Sequence, residues 1–175
     1  MAAMNPAAAV KLRLANRSDA GAIAEIYNEA IATTTATFDV ESRSAEDRAA
    51  WLETHDERHP VFVAEVDGIV VGWACLSAWS DRTAYAGTGE VTYYVLSRHR
   101  GHGIGRHLQE ALIAHAKAHG FHTLIARITA GNDASVRLCE AAGFERVGTM
   151  KEVGFKFGEL LDVHVLQKML NKRSG

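Results

Sequence analysis

The sequence predicts an α/β (α+β) fold: a mixed, mostly antiparallel central sheet of about six to seven strands with about four helices on both faces. Three observations lead there. Apolar residues recur with strand and helix periods in the order β-α-α-β-β-β-α-β-α-β-β. Asp67-Gly68 sits between two β-rich runs as a two-residue hairpin signal. Glycines at 101, 103 and 105 separate a strand-like run from a helical one, an arrangement suited to a strand-to-helix turn.

In order along the chain, Lys11 to Ala15 reads as a short strand. Ser18 then offers an N-cap to a helix with Ile23, Ile26, Tyr27, Ala30 and Ile31 on one face. Thr33 to Thr37 is a β-branched polar cluster that cannot extend this helix comfortably. Ser44-Ala45-Glu46-Asp47 is an approximate capping box that starts a second helix, running to about His55 and stopped by Pro60. Val61 to Val66 and Ile69 to Ala78 form the hairpin, Trp79 to Gly89 a longer loop, and Glu90 to Leu96 the next strand. A helix beginning at Arg106 carries Leu108, Ala111, Leu112 and His115 at helical spacing and stops at Gly120. Thr123 to Thr129 is a strand, and Asn132 or Asp133 caps a helix that ends before Gly143-Phe144. Strands from Glu145 to Glu152 and from Leu161 to Leu170 close the order, joined by a turn over Gly154 to Gly158.

The 175 residues suit one domain, expected over 11–170, with a disordered extension over 1–10 and a tail at 171–175. Nineteen basic against 21 acidic residues leave a net charge of -2, which gives no nucleic-acid footprint and suits a small neutral or zwitterionic partner. Met1 to Val10 lacks the n-region and h-region of a signal peptide, and no apolar run is long enough for a bilayer, so a soluble cytoplasmic protein without membrane partners is expected. Cys75 and Cys139 lie far apart without C-x-x-C spacing and read as buried reduced thiols. His115 and His119 lack a third ligand at sensible spacing; they read as solvent-exposed helix histidines, and no metal is expected.

Arg100-Gly101-His102-Gly103-Ile104-Gly105 leaves consecutive backbone N–H groups uncovered at a helix N-terminus, where orphan donors and the helix dipole favour a phosphate. A pyrophosphate is the expected ligand; an ordinary glycine turn is the plain alternative. G-x-G-x-x-G fails because Arg106 stands at its last glycine, and G-x-x-x-x-G-K-[ST] has no match. Glu90 lies just before Tyr93 and Tyr94, where a carboxylate gains nothing structurally. Such a group could serve as a general base; a solvated strand-end glutamate is the plain alternative.

With Arg100 in front, the glycine stretch resembles the R/Q-x-x-G-x-G/A motif of the GNAT superfamily of acetyl-CoA-dependent N-acetyltransferases. The likeness covers Lys11 to Leu170. More narrowly the chain resembles the phosphinothricin and methionine sulfoximine acetyltransferase group in Ile26-Tyr27-Asn28, Thr34-Thr35-Ala36, Trp79, Glu90, Tyr94-Val95, Asn132, Ser135, Gly143-Phe144 and Gly154-x-Lys156-Phe157-Gly158. The resemblance implies acetyl-CoA as co-substrate, with Tyr93, Tyr94 and Val95 offering backbone to the pantetheine arm. It implies Arg100, Gly101, His102, Gly103, Ile104, Gly105 and Arg106 at the pyrophosphate, and Asn132 with Ser135 near the cofactor amides, although helix and turn roles also explain these two. It makes Glu90 the base, and it implies a homodimer. The helix position that often supplies a tyrosine in this superfamily has none, so no residue is named to protonate the departing thiolate.

Direct acetylation of a small L-amino-acid-like acceptor is expected, with the Thr34 to Phe38 and Ser80 to Tyr85 loops walling its pocket. The acceptor residues are taken as Thr35, Phe38, Ser80, Asp81, Arg82, Tyr85, Val91 and Thr92. Two departures bear on recognition: Trp79-Ser80 replaces a Trp-Arg pair, and Leu160-Leu161-Asp162 replaces Trp-x-Asp, so the acceptor carboxylate loses a guanidinium unless Arg82 supplies one. The rival readings are acetylation of a protein N-terminus or another small amine, and a non-catalytic acyl-CoA-binding module. Thiol release with a panel of amines separates the last from an enzyme.

Overall fold

The computed structural model describes residues 9–171. All but the last two residues of the expected extension and all but the first of the expected tail lie outside the described residues. Seven strands form one sheet: β1 (Lys11–Leu14), β2 (Val61–Val66), β3 (Ile69–Ala78), β4 (Thr88–Val95), β5 (Thr123–Thr129), β6 (Glu145–Lys156) and β7 (Glu159–Met169), in the spatial order β1-β2-β3-β4-β5-β7-β6. Every pairing is antiparallel except β4 with β5. The helices are α1 (Ala20–Thr33), α2 (Ala45–Glu53), α3 (Ile104–Ala118) and α4 (Asp133–Ala141).

Side chains alternate across a strand, so neighbours in β3 locate the two helical layers. Trp73 packs edge-on against Tyr27 of α1 and Trp51 of α2, at 5.9 and 5.3 Å between ring centroids. Gly72 faces the other way, where an added Cβ would lie 3.3 Å from Leu108 of α3. The core sits on both sides of this strand, with Ile23, Ile26 and Trp73 buried in one layer and Leu108, Leu112 and Leu124 among its other members.

Several element boundaries move, each for a local reason. The first helix is opened by Asn16, whose side chain accepts from Ser18 N while Asp19 returns a bond to the Asn16 backbone; Ser18 is not the cap. This box closes a 3-10 turn, and α1 begins one residue beyond it. Asp19 is also fixed by Arg13 at 2.7 and 2.8 Å, and the Arg13 hydrogen bonds hold its carboxyl below the ordinary range despite burial. α2 carries the expected capping box, with Ser44 and Asp47 each bonded to the other's backbone.

β4 starts at Thr88 rather than Glu90, because Gly89 continues the ladder opposite Ala78; its missing Cβ would lie 2.7 Å from Leu76. α3 starts at Ile104, directly after Gly103 at φ 80. β6 continues to Lys156, and the turn is only Phe157-Gly158, with φ of 53 and 80. Gly154 is a strand residue paired with Leu161, and a Cβ there would lie 2.2 Å from the Phe38 ring.

Both cysteines are free and buried, and burial pushes the Cys75 thiol up to about 11. His115 and His119 are not solvent-exposed but half-buried. Their rings stack at 3.8 Å, and His115 Nε2 lies 2.8 Å from the Glu57 carbonyl. Burial lowers the His115 pKa, outweighing the Glu57 contact. Among the described residues no group of three His, Cys, Asp or Glu could hold a metal ion, and no helix is long and apolar enough to cross a membrane.

Candidate active site

β4 and β5 are hydrogen-bonded only at their starts, Thr88 to Glu90 against Thr123 to Ile125. Beyond Glu90 they part. β4 keeps its β3 partners on one side up to Val95, and its other edge faces a cleft of about 550 Å³ without a strand partner. Backbone groups must pair with something; the register with β3 turns the N–H and C=O groups of Val91, Tyr93 and Val95 to this open edge, with Val95 O already taken by Arg100, whereas Tyr94 turns its backbone to Trp73 of β3 rather than to the cleft. Because the sheet is split, the cleft reaches both its faces: Glu90, Thr92 and Tyr94 line it from the α1 side, and Val91 and Tyr93 from the α3 and α4 side.

Glu90 is the third residue of β4, with its carboxylate largely shielded. It accepts two bonds from Arg127 of β5, 2.6 Å from Nε and 3.0 Å from Nη2. The guanidinium lies 5.7 Å from the centre of the Trp79 ring.

The wall opposite is the loop after α1, whose Ala36, Thr37 and Phe38 line the cleft. Its carbonyls are taken in succession by side chains from distant elements. Lys156 donates to Thr34 O at 2.8 Å and Thr37 O at 2.9 Å, Thr129 donates to Thr35 O at 2.6 Å, and Tyr94 donates to Ala36 O at 3.3 Å. Tyr27 donates to Asp39 at 3.0 Å and lies 2.9 Å from the Thr37 hydroxyl. Lys156 is 4% exposed, and burial depresses its pKa below the ordinary lysine value. An ammonium buried without a carboxylate in contact is costly unless hydrogen-bonded, and the two loop carbonyls meet that need.

The glycine stretch lies past the end of β4. Gly101 and Gly103 adopt φ of 79 and 80, and an added Cβ at either would meet nothing within 4 Å, so backbone conformation rather than crowding selects glycine there. Among the described residues, no protein acceptor takes the N–H groups of residues 101–106. Arg100 turns back, donating from Nε to Val95 O at 3.0 Å, while His102 and Arg106 are exposed. Free donors around left-handed glycines at the start of a 15-residue helix fit the pyrophosphate of a coenzyme.

Asn132 caps α4 by accepting from Ser135 N at 3.3 Å; both residues line the cleft, and the Asn132 amide nitrogen remains available as a donor. The Tyr93 hydroxyl lies 3.4 Å from Cys139 Sγ, and burial raises the Tyr93 pKa above the ordinary tyrosine value.

The structure therefore brings Phe38, Glu90, Val91, Thr92, Tyr93, Tyr94, Asn132 and Ser135 to one cleft. Thr35 stands beside it, held through its carbonyl. Ser80, Asp81, Arg82 and Tyr85 do not line it. They form a surface turn in which Ser80 contacts Asp81 at 3.5 Å and accepts from Arg82 N at 3.2 Å. Leu160 is likewise outside the cleft and 58% exposed, so neither departure from the related group falls on the lining. Sequence reasoning missed Arg127 and the anchoring role of Lys156. A lone arginine in the apolar run Leu124-Ile125-Ala126-Arg127-Ile128 was a readable signal for the first; the second depends on contacts between remote segments.

The chain is similar to known proteins over most of its length. A family model described as "Acetyltransferase (GNAT) family" matches residues 23–144. The chain is 37% identical over 166 residues to the L-amino acid N-acyltransferase of Escherichia coli, covering 94% of this chain and 96% of that one. It is 38% identical over 159 residues to the phosphinothricin N-acetyltransferase of Streptomyces viridochromogenes, covering 91% and 87%. The crystal structure of a GNAT superfamily phosphinothricin acetyltransferase from Sinorhizobium meliloti in complex with AcCoA aligns with a TM-score of 0.89 at 36% identity, covering 93% of this chain and 89% of that one.

Proposed function

The chain belongs to the acetyltransferase (GNAT) family, as an N-acetyltransferase of the phosphinothricin and methionine sulfoximine type, and from that premise we propose that it acetylates the amine of a small L-amino-acid-like acceptor by direct attack on acetyl-CoA. The observation that carries the reading is the split between β4 and β5, with a carboxylate at its apex and free backbone donors beyond its mouth. Bound acetyl-CoA supplies a thioester whose carbonyl carbon accepts the amine nitrogen as the carbon–sulfur bond breaks, the sulfur leaving with the bonding pair. The backbone N–H groups of residues 101–106 hold the pyrophosphate. Tyr93 and Val95, whose backbone faces the open edge, offer strand-like bonds to the pantetheine arm, and Asn132 with Ser135 closes on its amides. Glu90 takes the proton that the acceptor ammonium must lose before its nitrogen can form the new bond; the second amine proton goes to solvent and the thiolate takes one up.

General-base assistance is worth about 10² to 10⁴ in rate. Glu90→Gln should lose that factor at neutral pH and recover much of it at high pH, where the amine deprotonates unaided. A variant matching the parent at every pH would remove Glu90 from the chemistry. The same reading carries a homodimer, supported by Phe155, Phe157 and Leu160 standing exposed on the β6–β7 hairpin; sedimentation near the 19.0 kDa monomer mass would reject it.

A further inference from the structure

The Glu90–Arg127 pair is the one charged contact in the cleft that the proposed reaction leaves half explained. A base needs a carboxylate; it does not need a guanidinium laid along it. We propose that Arg127 and Glu90 together form a clamp for a zwitterion, Arg127 taking the acceptor's carboxylate and Glu90 its ammonium, the two side chains giving up their mutual pair as the acceptor enters. The inference rests on the amino-acid reading above and names the residue that sets it.

The geometry points this way for three reasons. First, a guanidinium carries five N–H donors in a planar fork, and Glu90 occupies only Nε and one direction of Nη2. Among the described residues Nη1 has no side-chain or backbone acceptor, so a second carboxylate can be met before the first is released. Second, the pair is asymmetric: the Arg127 side chain is 51% exposed and that of Glu90 16%. The shielded Glu90 carboxylate needs a cation beside it, and an incoming α-amino acid brings one, while its carboxylate meets the guanidinium on the exposed side. Trp79 lies under the guanidinium and limits where it can swing. Third, the charges are spaced by neighbouring strands at the point where β4 and β5 separate. They sit side by side, as an amino acid carries its own two charges on one carbon. Arg82, the other candidate for this role, lies in the surface turn outside the cleft.

The test compares thiol release with L-methionine sulfone and with its decarboxylated amine, in the parent, Arg127→Gln and Arg127→Lys. Arg127→Gln should lower kcat/KM for the amino acid by roughly tenfold or more, mostly through KM, as expected for a lost charge contact. The decarboxylated amine should lose several-fold less, the KM for acetyl-CoA should hold, and Arg127→Lys should restore part of the discrimination. A parent that prefers the amino acid, combined with equal losses on both acceptors in Arg127→Gln, would overturn the clamp alone. A parent that prefers the decarboxylated amine would overturn the amino-acid reading and the clamp with it.

Discussion

The loop over Thr34 to Phe38 and the loop over Ser80 to Tyr85 are both short and polar, and the sequence assigns both to the acceptor pocket, yet they are held in opposite ways. In the first, side chains from α1, β4, β5 and β6 capture the backbone or the hydroxyls, across separations of up to 122 residues. In the second, the loop's own side chains bond only to near neighbours, and its residues from 81 onward are exposed. A wall that must meet an acceptor reproducibly needs a fixed backbone, and only the first loop has one. Composition alone cannot separate them, because threonines in one and serine with aspartate in the other both read as loop.

The sharpest way to break this contrast is Lys156→Met. It leaves the carbonyls of Thr34 and Thr37 without their donor, which should cost about 2–4 kcal/mol. Thermal unfolding should fall by roughly 5–10 °C for a chain of this size. Gly154→Ala should act less on stability, about 1–3 kcal/mol by overpacking, since the new methyl meets the Phe38 ring at 2.2 Å. Its signature should be a raised KM for the acceptor with the KM for acetyl-CoA unchanged, read in one two-substrate kinetic matrix. Smallest of all, Arg82→Ala should move stability by no more than about 0.5 kcal/mol, as measured by chemical denaturation. A larger loss would mean that the second loop is anchored after all.

What could be read from the chain beforehand follows the range of the interactions. Ser44 with Asp47, and the turn at Asp67-Gly68 with φ of 51 and 78, are local devices complete within a few residues, and they fold as their sequence predicts. So does the helix end at Gly120, φ 72. Gly154 misleads because its glycine serves a close approach by Phe38, more than a hundred residues earlier in the chain, rather than a turn. Lys156 reads as a turn residue beside Phe157-Gly158, although its buried ammonium faces the loop after α1. The cleft was legible in part: Glu90, Tyr93, Tyr94 and Asn132 lie on strand and cap positions that the pattern located. Its other wall needed the pairing of β5 with β7 and of β7 with β6, which no local signal specifies. Arg127 stood in plain view as a charge inside an apolar strand, and its meaning comes from a partner 37 residues away.

The most direct test of the anchored wall is the acceptor KM measured side by side in Lys156→Met and Arg82→Ala, with L-methionine sulfone at saturating acetyl-CoA. Lys156→Met should raise it by about tenfold or more, as for a displaced positioning group, while Arg82→Ala stays within about twofold of the parent. An Arg82→Ala enzyme with the larger rise, beside a Lys156→Met enzyme that binds the acceptor normally, would contradict the assignment of the acceptor wall to the loop after α1.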